Sequence, residues 1–373
     1  MSTNIAVIGA GAWGTAIAKA IAEKGHETLL WSHNAGTTDE INHQHRNSRY
    51  LPNVELPAKL HATSDIVAAA EGREYLILAL PSLFLMDGVK QILNTTSIRE
   101  GESAIAVITK GFLPTAKGPR LILETLEDYL PGFYRNSLVY IAGPSHAEEV
   151  SRGKITGLIA ASENPKNSFR FRDLIKSNRL LVFSSFDVRG VQVAAAVKNV
   201  IAIAFGMLDA LKTSGEAPVQ PSVSGAENTV SSLPHGLGAL FGDGTESLLL
   251  AAGLNEIQTL GFAMGATYAE TFTSISGVGD LDVTCRSVFG RNRRFGREII
   301  EKNILAPYGN LDDLLAHIAE IGYLPEGVAA AKYVKILAEK YKLKMPIALG
   351  VYRIINREIS PIDFLHSFQE ELT

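Results

Sequence analysis

Close to the N-terminus, a glycine-rich turn separates an apolar run from an amphipathic stretch, within the sequence NIAVIGAGAWGTAIA. Ile5 to Ile8 has the length and branching of a strand buried on both faces, and Thr15 to Glu23 has helical periodicity. Three glycines in G-x-G-x-x-G spacing stand between them, namely Gly9, Gly11 and Gly14. This order favours a βαβ unit that binds a dinucleotide, and a chance glycine turn in an α/β protein is the alternative.

Each glycine has a separate physical task in such a unit. Gly9 permits the tight turn, Gly11 lets the backbone approach a pyrophosphate, and Gly14 allows the helix to pack closely on the strand. The N-terminus of the following helix offers unpaired N–H groups to the phosphates. We therefore predict that these residues bind a dinucleotide cofactor.

Composition narrows the class of protein. The chain of 373 residues is long enough for two or three domains, and 46% hydrophobic and 20% charged residues are ordinary for a folded soluble protein. A net charge of −4 gives no basic signature, so we predict no nucleic-acid partner. Cys285 is the sole cysteine, which excludes an internal disulfide and a cysteine-rich zinc site and fits a reducing, cytoplasmic setting. We predict no bound metal.

The most membrane-like stretch is Val191 to Leu211. It carries Gln192, Lys198, Asn199 and Asp209, so we predict a buried helix of a soluble protein and no membrane span. The apolar run at the N-terminus is interrupted by the glycines, which argues against a secretory signal.

Strands alternate with helices in the first half of the chain, which predicts an α/β domain with a doubly wound parallel sheet of Rossmann type. The predicted strands are Ile5 to Ile8, Glu27 to Trp31, Glu74 to Leu80, Ala104 to Thr109, Leu138 to Ala142, Ile155 to Ala161 and Leu180 to Ser184. Residues 1–187 form this domain, and residues 188–373 form an α-helical domain. Residues 213–238 are rich in Pro, Ser and Gly and predict a loop insertion. We expect the active site between the two domains.

The second strand lacks the acidic residue that ends it in many NAD enzymes, where that residue holds the ribose 2′-hydroxyl. Ser32, His33 and Asn34 stand there instead. Because no carboxylate would repel a 2′-phosphate, NADP is allowed. His33 either approaches that phosphate or is a solvated loop residue.

Three later strands also end in residues suited to a ligand crevice, which lies at the carboxyl ends of parallel strands. Pro81 and Ser82 end one strand, and Lys110 ends the next. Gly143 and Ser145 follow the strand after that. We predict that Lys110 faces the cofactor; a snorkelling surface lysine is the alternative.

The helical half carries a second group of candidates. Lys198 and Asn199 interrupt an apolar helix. A buried ammonium there needs a partner or a cavity, and it can act as a general acid. The alternative is that both residues lie on a solvent-exposed stripe of the helix. Asp280 follows two glycines and is either a placed carboxylate or a helix N-cap. Arg291 and Asn292 open a predicted helix, as in a phosphate site or a solvated basic patch.

These segments together resemble a known family. GAGAWGTA, YLPNVELP, LPS, TKG, GPSHAEEV, AAVKNVIAI, GVGDLDVTC and GRNRRFG occur in this order, within a resemblance that runs from Asn4 to roughly Asn356. The chain closely resembles the bacterial NAD(P)-dependent glycerol-3-phosphate dehydrogenases. The resemblance implies NAD or NADP as cofactor, reversible reduction of dihydroxyacetone phosphate, supply of glycerol 3-phosphate for phospholipid synthesis, and a homodimer as a candidate assembly.

The resemblance also implies residue roles. The lysine of the KN pair is the family's proton donor, which implies that Lys198 is catalytic, with Lys110 helping to polarise the carbonyl. The implied substrate-binding residues are Lys110, Gly143, Ser145, Lys198, Asn199, Asp280, Thr284, Arg291 and Asn292. The implied cofactor-binding residues are Gly9, Gly11, Ala12, Trp13, Gly14, His33, Pro81, Ser82, Lys110, Ala147 and Arg291.

One segment departs from the family pattern. Where the family has FG-x-N-x-[RK], this chain has FGDGTESLLLAAGL, with Gly244 for the asparagine, Glu246 for the basic residue and Ala252 for a later arginine. These changes remove positive charge near the predicted active site. Two alternatives therefore stay open: a reductase of the same fold acting on another phosphorylated or acidic ketone, and a catalytically silent nucleotide-binding regulator.

Overall fold

The computed structural model describes residues 4–214 and 241–364. Its strands are β1 (Asn4–Ile8), β2 (Glu27–Trp31), β3 (Leu60–Thr63), β4 (Tyr75–Leu78), β5 (Ala104–Val107), β6 (Phe112–Thr115), β7 (Gly118–Leu121), β8 (Val139–Ala142), β9 (Thr156–Ala161) and β10 (Leu180–Ser185). The helices of the first half are α1 (Ala12–Glu23), α2 (Ala35–Gln44), α3 (Ile66–Ala70), α4 (Ser82–Ile92), α5 (Thr96–Arg99), α6 (Ile122–Glu127), α7 (Ala147–Ser151) and α8 (Pro165–Ile175).

Helices account for the regular structure described after β10. They are α9 (Val188–Ser214), α10 (Asp243–Ala263), α11 (Glu270–Thr273), α12 (Asp280–Arg286), α13 (Arg291–Glu301), α14 (Leu311–Ala316), α15 (Glu326–Tyr341) and α16 (Pro346–Ile355), with a π-helical turn at Ile275–Gly279 and a 3₁₀ turn at Ile318–Ile321. An α/β sheet followed by a helical region is the predicted fold class, and it is confirmed.

The main sheet has the strand order β10-β9-β8-β5-β4-β1-β2-β3. From β3 to β8 all neighbouring strands are parallel. The chain runs outward from β1 to β2 and β3 on one side, and then returns to β4 on the other side of β1. The strand order reverses between β1 and β4, and open α/β sheets bind ligands at such a switch point. The glycine turn follows β1 and therefore lies at this point.

The predicted parallel direction does not extend to the far edge of the sheet. β9 pairs antiparallel with β8, and β10 then pairs parallel with β9. The connection from β8 to β9 carries only α7, a helix of 5 residues. At about 1.5 Å per residue, such a helix is too short to return the chain to the amino ends of the strands. Alternating helices and strands in a sequence do not by themselves encode this reversal.

Over the described residues the chain divides into two compact units. Unit 1 comprises Met1–Gln192 and Ala266–Ser276, and unit 2 comprises Val193–Gly265 and Gly277–Thr373. The predicted division at residues 187 and 188 has two uninterrupted segments, whereas the structure places Ala266–Ser276, from the second half, with the sheet. Of the predicted insertion, Thr213 and Ser214 end α9, and residues 215–238 lie outside the described residues.

Asp187 explains why that late segment belongs to unit 1. Its carboxylate is buried, and it accepts hydrogen bonds from the Thr267 N–H at 3.2 Å and from Thr271 Oγ1 at 2.7 Å. It also accepts from the Gly190 N–H at 3.1 Å, in the first turn of α9. A buried carboxylate with several donors is well satisfied, so it holds the segment in place.

α9 is a core helix. Its stretch Val188–Thr213 is long and apolar enough to cross a membrane, but the residues of its most apolar window are all buried inside the protein. Complete burial against protein is what a core helix shows, as the polar residues in its sequence predict.

Two glycines let α9 and α13 approach closely. A Cβ on Gly206 of α9 would lie 2.0 Å from the Arg293 carbonyl oxygen, and one on Gly296 of α13 would lie 2.0 Å from the Ile203 carbonyl oxygen. Backbone therefore packs directly on backbone at this crossing. This contact fixes the direction in which α13 leaves Arg291, a predicted substrate residue.

We expect Gly296→Ala to destabilise the protein by about 1–3 kcal/mol, because the added methyl group overpacks the crossing. An exposed glycine in a helix usually gives the opposite sign, a gain of up to about 1 kcal/mol. Gly244→Ala in α10 is the matched control, since its Cβ would meet nothing within 4 Å. Urea unfolding measures both, and a Gly296→Ala variant as stable as wild type would contradict the packing.

Candidate active site

The glycine turn has the backbone geometry that its sequence predicts. Gly9 has φ +129°, and a Cβ there would lie 2.7 Å from the Ala79 carbonyl oxygen. A Cβ on Gly14 would lie 1.9 Å from the Gly9 carbonyl oxygen, so Gly14 packs directly on the turn. At Gly11 a Cβ would meet nothing within 4 Å, which leaves open space beside the backbone. This combination fits a bound pyrophosphate.

The start of α1 has the polarity that a phosphate requires. Gly11 is the N-cap residue, and no side chain caps the helix. The first N–H groups are therefore left for a ligand, at the positive end of the helix dipole. Ala12 is buried, and Trp13 packs partly buried against the hydrophobic core.

Only His33 of the three residues after β2 is exposed. Ser32 is buried, and its Oγ accepts a hydrogen bond from the Asn34 N–H at 3.2 Å. Asn34 caps α2, where its Oδ1 accepts from the Thr37 N–H at 3.0 Å. The His33 ring lies 6.4 Å from the ring of Trp31. The position that often carries an acid thus presents an imidazole.

The ends of β4 and β5 are joined by a side-chain bond. Thr109 Oγ1 donates to the Leu80 carbonyl oxygen at 2.6 Å. Gly111 has φ +123°, and a Cβ there would lie 3.6 Å from Ser82 Oγ. Lys110 stands between these two contacts, half-buried, at the carboxyl edge of the sheet. The structure therefore places Ser82 beside Gly111, the residue after Lys110, with Pro81 as the N-cap residue of α4.

The residues after β8 form a tight turn against β9. Gly143 has φ +142°, and a Cβ there would lie 2.7 Å from the Gly157 carbonyl oxygen. Ser145 Oγ donates to the Gly143 carbonyl oxygen at 3.2 Å. Ala147 begins α7, which packs against α1. These predicted residues lie at the same edge of the sheet as the glycine turn.

Unit 2 buries the predicted catalytic lysine in a polar cluster. Lys198 is 3% exposed, and its Nζ donates to Asp280 Oδ1 and, at 2.8 Å, to Thr284 Oγ1. Thr284 Oγ1 donates in turn to the Asp280 carbonyl oxygen at 2.6 Å. Asp280 is the first residue of α12 and Gly279 is its N-cap, so the N-cap interpretation of Asp280 is wrong. Its carboxylate is a placed partner for the ammonium.

A second polar cluster involves Asn199, the neighbour of Lys198 on α9. Asn292 Nδ2 donates to Asn199 Oδ1 at 3.0 Å, and Asn292 Oδ1 accepts from the Gly327 N–H at 2.9 Å. The other amide atom, Asn199 Nδ2, is buried and has no hydrogen-bond partner among the described residues. A buried donor without an acceptor is costly, and a ligand oxygen would satisfy it.

Arg291 is exposed at the N-terminus of α13 and has no described hydrogen bond or ion pair. The N-cap residue Gly290 gives no side-chain cap to the helix. A Cβ on Gly290 would lie 3.0 Å from the Thr284 carbonyl oxygen, so this helix start lies beside the lysine cluster. An arginine beside an uncapped helix N-terminus is suited to bind phosphate.

Other candidate chemistry is weaker. Burial raises the pKa of the Cys285 thiol, which disfavours the thiolate that a nucleophile needs. Over residues 4–214 and 241–364, no three His, Cys, Asp or Glu side chains are grouped to hold a metal ion.

Comparison with known proteins shows the family of the chain. A family model described as the N-terminus of NAD-dependent glycerol-3-phosphate dehydrogenase matches residues 4–168, and the model of its C-terminus matches residues 187–366. The chain belongs to this dehydrogenase family.

Relatives and solved structures in the family resemble the chain over nearly its whole length. The chain is 53% identical to glycerol-3-phosphate dehydrogenase [NAD(P)+] of Treponema denticola, over 98% of both proteins. It is 34% identical to the enzyme of that name from Lysinibacillus sphaericus, over 96% of this chain and 93% of that protein. The crystal structure of glycerol-3-phosphate dehydrogenase from Coxiella burnetii superposes with a TM-score of 0.78, at 29% identity and 99% coverage of both chains.

The departure from the dehydrogenase pattern is locally compensated. Glu246 accepts hydrogen bonds from Lys212 Nζ at 2.5 Å and from Arg286 Nη1 at 2.8 Å. Burial raises the pKa of Glu246, but the bonds from these two cations outweigh burial and the net direction is down. The acidic replacement is therefore an ionised partner for two cations of unit 2.

Asn47 is a site residue that no sequence pattern indicates. This side chain is 0% exposed and bonds to the glycine turn, although it lies far along the chain from it. It stands in the polar run HRNSRY, which has no periodicity to indicate a buried residue. It also lies between two resemblance motifs, GAGAWGTA and YLPNVELP, and belongs to neither.

Proposed function

We propose that this chain is an NAD(P)-dependent sn-glycerol-3-phosphate dehydrogenase that reduces dihydroxyacetone phosphate. The observation that carries the proposal is the buried Lys198, held by Asp280 and Thr284. A protein that only binds a nucleotide gains nothing from burying an ammonium, which costs free energy unless it is paired. A ketone reductase, in contrast, needs a proton donor for the developing alkoxide, and a lysine ammonium can be that donor.

Unit 1 provides the residues that would hold the cofactor, which is NAD or NADP. They are Gly9, Gly11, Ala12, Trp13 and Gly14 at the turn, with His33, Pro81, Ser82, Lys110 and Ala147 at the other strand ends. Arg291 is also assigned a cofactor contact. When bound, such a cofactor supplies or accepts a hydride.

Unit 2 provides the groups for the ketone and its phosphate. Lys198 holds a proton at Nζ for the C2 oxygen, and Asp280 and Thr284 fix the position of Nζ. Asn199 Nδ2, which has no hydrogen-bond partner in the described part of the chain, donates to a substrate oxygen. Arg291 binds the phosphate, which orients the ketone. Lys110, Gly143 and Ser145 are assigned substrate contacts from unit 1.

The test is a screen of ketones with NADPH and NADH, followed by the nicotinamide absorbance. We expect oxidation with dihydroxyacetone phosphate far above that with other phosphorylated or acidic ketones. Faster turnover of another such ketone would favour a related reductase. Gly244, Glu246 and Ala252, which depart from the family pattern, are the reason for considering this alternative. Cofactor binding without turnover of any ketone would favour the silent regulator.

We expect no preference for NADH above about tenfold, or about 1.4 kcal/mol, because His33 occupies the place of a ribose-binding acid. His33→Asp should shift the ratio of kcat/KM values toward NADH by about tenfold or more, since a carboxylate accepts from the 2′-hydroxyl and repels a 2′-phosphate. His43→Asp makes the same charge change at an exposed position of α2 and should leave the ratio unaltered. An unchanged ratio in His33→Asp would assign ribose recognition to another residue.

The remaining assignments belong to the same proposal. We assign the protein to the cytoplasm, where glycerol 3-phosphate would supply phospholipid synthesis. A homodimer without nucleic acid is the proposed assembly, and sedimentation equilibrium measures it.

A further inference from the structure

Asn47 lies beneath the glycine turn, although it belongs to the loop between α2 and β3. Its Nδ2 donates to the Ala10 carbonyl oxygen at 3.0 Å and to Thr15 Oγ1 at 2.9 Å. Thr15 Oγ1 also donates to the Ala10 oxygen at 3.3 Å. One buried amide therefore bonds to the middle of the turn and to the first part of α1.

These bonds determine how one peptide unit is oriented. The Ala10 carbonyl and the Gly11 N–H belong to the same peptide, and the described residues contain no cis peptide bond. In a trans peptide the C=O and N–H bonds point in opposite directions. Because the Ala10 oxygen is held toward Asn47, the Gly11 N–H points away from it. The space beside Gly11 is open, since a Cβ there would meet nothing within 4 Å.

The other end of the Asn47 amide shows that its donors are what matter. Asn47 Oδ1 is buried and has no hydrogen-bond partner among the described residues. An unpaired buried acceptor opposes folding, and an apolar side chain of similar size would avoid it. The favourable contribution of Asn47 lies in the two hydrogen bonds that it donates, and one of them is to the peptide that precedes Gly11.

We propose that Asn47 is a positioning residue for the cofactor pyrophosphate. It locks the Ala10–Gly11 peptide with its N–H directed outward, so that the turn need not be ordered when the ligand binds. Glycine on one side of this peptide leaves it otherwise free to rotate. The inference rests on the proposed binding of NAD or NADP, and it assigns Asn47 no contact with the reacting atoms.

The test compares ligands with and without a pyrophosphate on the full chain. Asn47→Leu removes both donors at similar volume, and calorimetric titration measures ADP-ribose and AMP. We expect ADP-ribose to bind about 10- to 100-fold more weakly, the effect of one or two lost hydrogen bonds. AMP, which has a single phosphate, should change less than about threefold.

Asn42→Ala is the matched control. Asn42 Nδ2 donates to the Ala62 carbonyl oxygen at 3.0 Å, and its Oδ1 accepts from the Ala62 N–H at 2.8 Å. It therefore also forms two side-chain bonds between α2 and β3, without touching the turn. Both affinities should stay at the wild-type value in this variant. Thr15→Val keeps the bond from Asn47 to Ala10 and should lose less than about threefold for ADP-ribose.

Different outcomes overturn different claims. Unchanged ADP-ribose affinity in Asn47→Leu, or equal losses for both ligands, would reject the positioning role while leaving cofactor binding intact. Failure of the wild-type chain to bind ADP-ribose, NADH and NADPH would reject the proposed function itself, and the inference with it. Should Asn47→Leu not fold, Asn47→Ala removes the same donors without adding bulk, and the same two ligands decide.

Discussion

Lys198→Ala should lower turnover of dihydroxyacetone phosphate by about two to four orders of magnitude, the range for a lost general acid. Cofactor affinity should stay near the wild-type value, because Lys198 is not among the residues proposed to hold the cofactor. Lys198 is buried, and its Nζ donates to Asp280 and Thr284. An exposed side chain therefore does not take over its role as proton donor in the variant. Stopped-flow and steady-state measurements of kcat, with fluorescence titration of NADPH, separate the two effects.

The alanine variant also leaves Asp280 buried without its ammonium partner, which costs about 3–5 kcal/mol of stability. Lys198→Met combined with Asp280→Asn removes both charges and keeps the volume, so it controls for unfolding and should be equally inactive. Lys212→Ala, on the same helix and paired with Glu246, should retain kcat within about twofold. Retention of more than about half of wild-type turnover by either Lys198 variant would end the general-acid assignment.

Local sequence was sufficient where a single element decided the structure. β2 has the predicted bounds Glu27 to Trp31, and the glycine turn has the predicted geometry at Gly9 and Gly14. Both follow from short-range rules: an apolar run bounded by turn residues, and positions where a Cβ would clash. The prediction that Lys198 needs a partner also follows from burial alone.

The identity of that partner did not follow from local sequence. Asp280 lies 82 residues from Lys198, and no sequence pattern pairs the two residues. Asn47 lies 37 residues from Ala10, and no sequence pattern or motif indicated it. Pairings across such distances depend on packing of separate elements, which helical or strand periodicity does not encode.

Weakly patterned segments gave the errors in secondary structure. The polar segment Asp39 to Arg49 predicts a helix from its sequence, whereas α2 spans Ala35–Gln44. Capping sets its start, because the Asn34 side chain accepts from Thr37, and a left-handed residue, His45, ends it at φ 52°. The equally short strands β4, β5 and β8 are continuous apolar runs and were predicted. Strand β3 and the hairpin of β6 and β7 were missed because polar residues, proline or glycine interrupt their sequences, LHAT, FLPT and GPRL.

Arg291→Ala should reduce kcat/KM for dihydroxyacetone phosphate by about 30- to 4000-fold, which corresponds to about 2–5 kcal/mol for one member of a desolvated charge pair. It should scarcely change the slow reduction of unphosphorylated dihydroxyacetone. The prediction is based on the position of Arg291: it is exposed, it has no described partner, and it lies at an uncapped helix N-terminus beside Thr284. Arg291→Lys should recover part of the loss, since an ammonium keeps the charge but not the bidentate fork.

The two ketones distinguish a phosphate clamp from a structural arginine. Damage to the fold lowers both activities together, whereas loss of a phosphate contact affects only the phosphorylated ketone. Arg297→Ala is the matched control, because it lies further along α13 and pairs with Glu301. Its effect on either ketone should be small. Equal losses with both ketones in Arg291→Ala, or no loss with either, would reject the role. The phosphate would then have to be held elsewhere, and the altered segment at Gly244, Glu246 and Ala252 would be the next place to look for a different substrate.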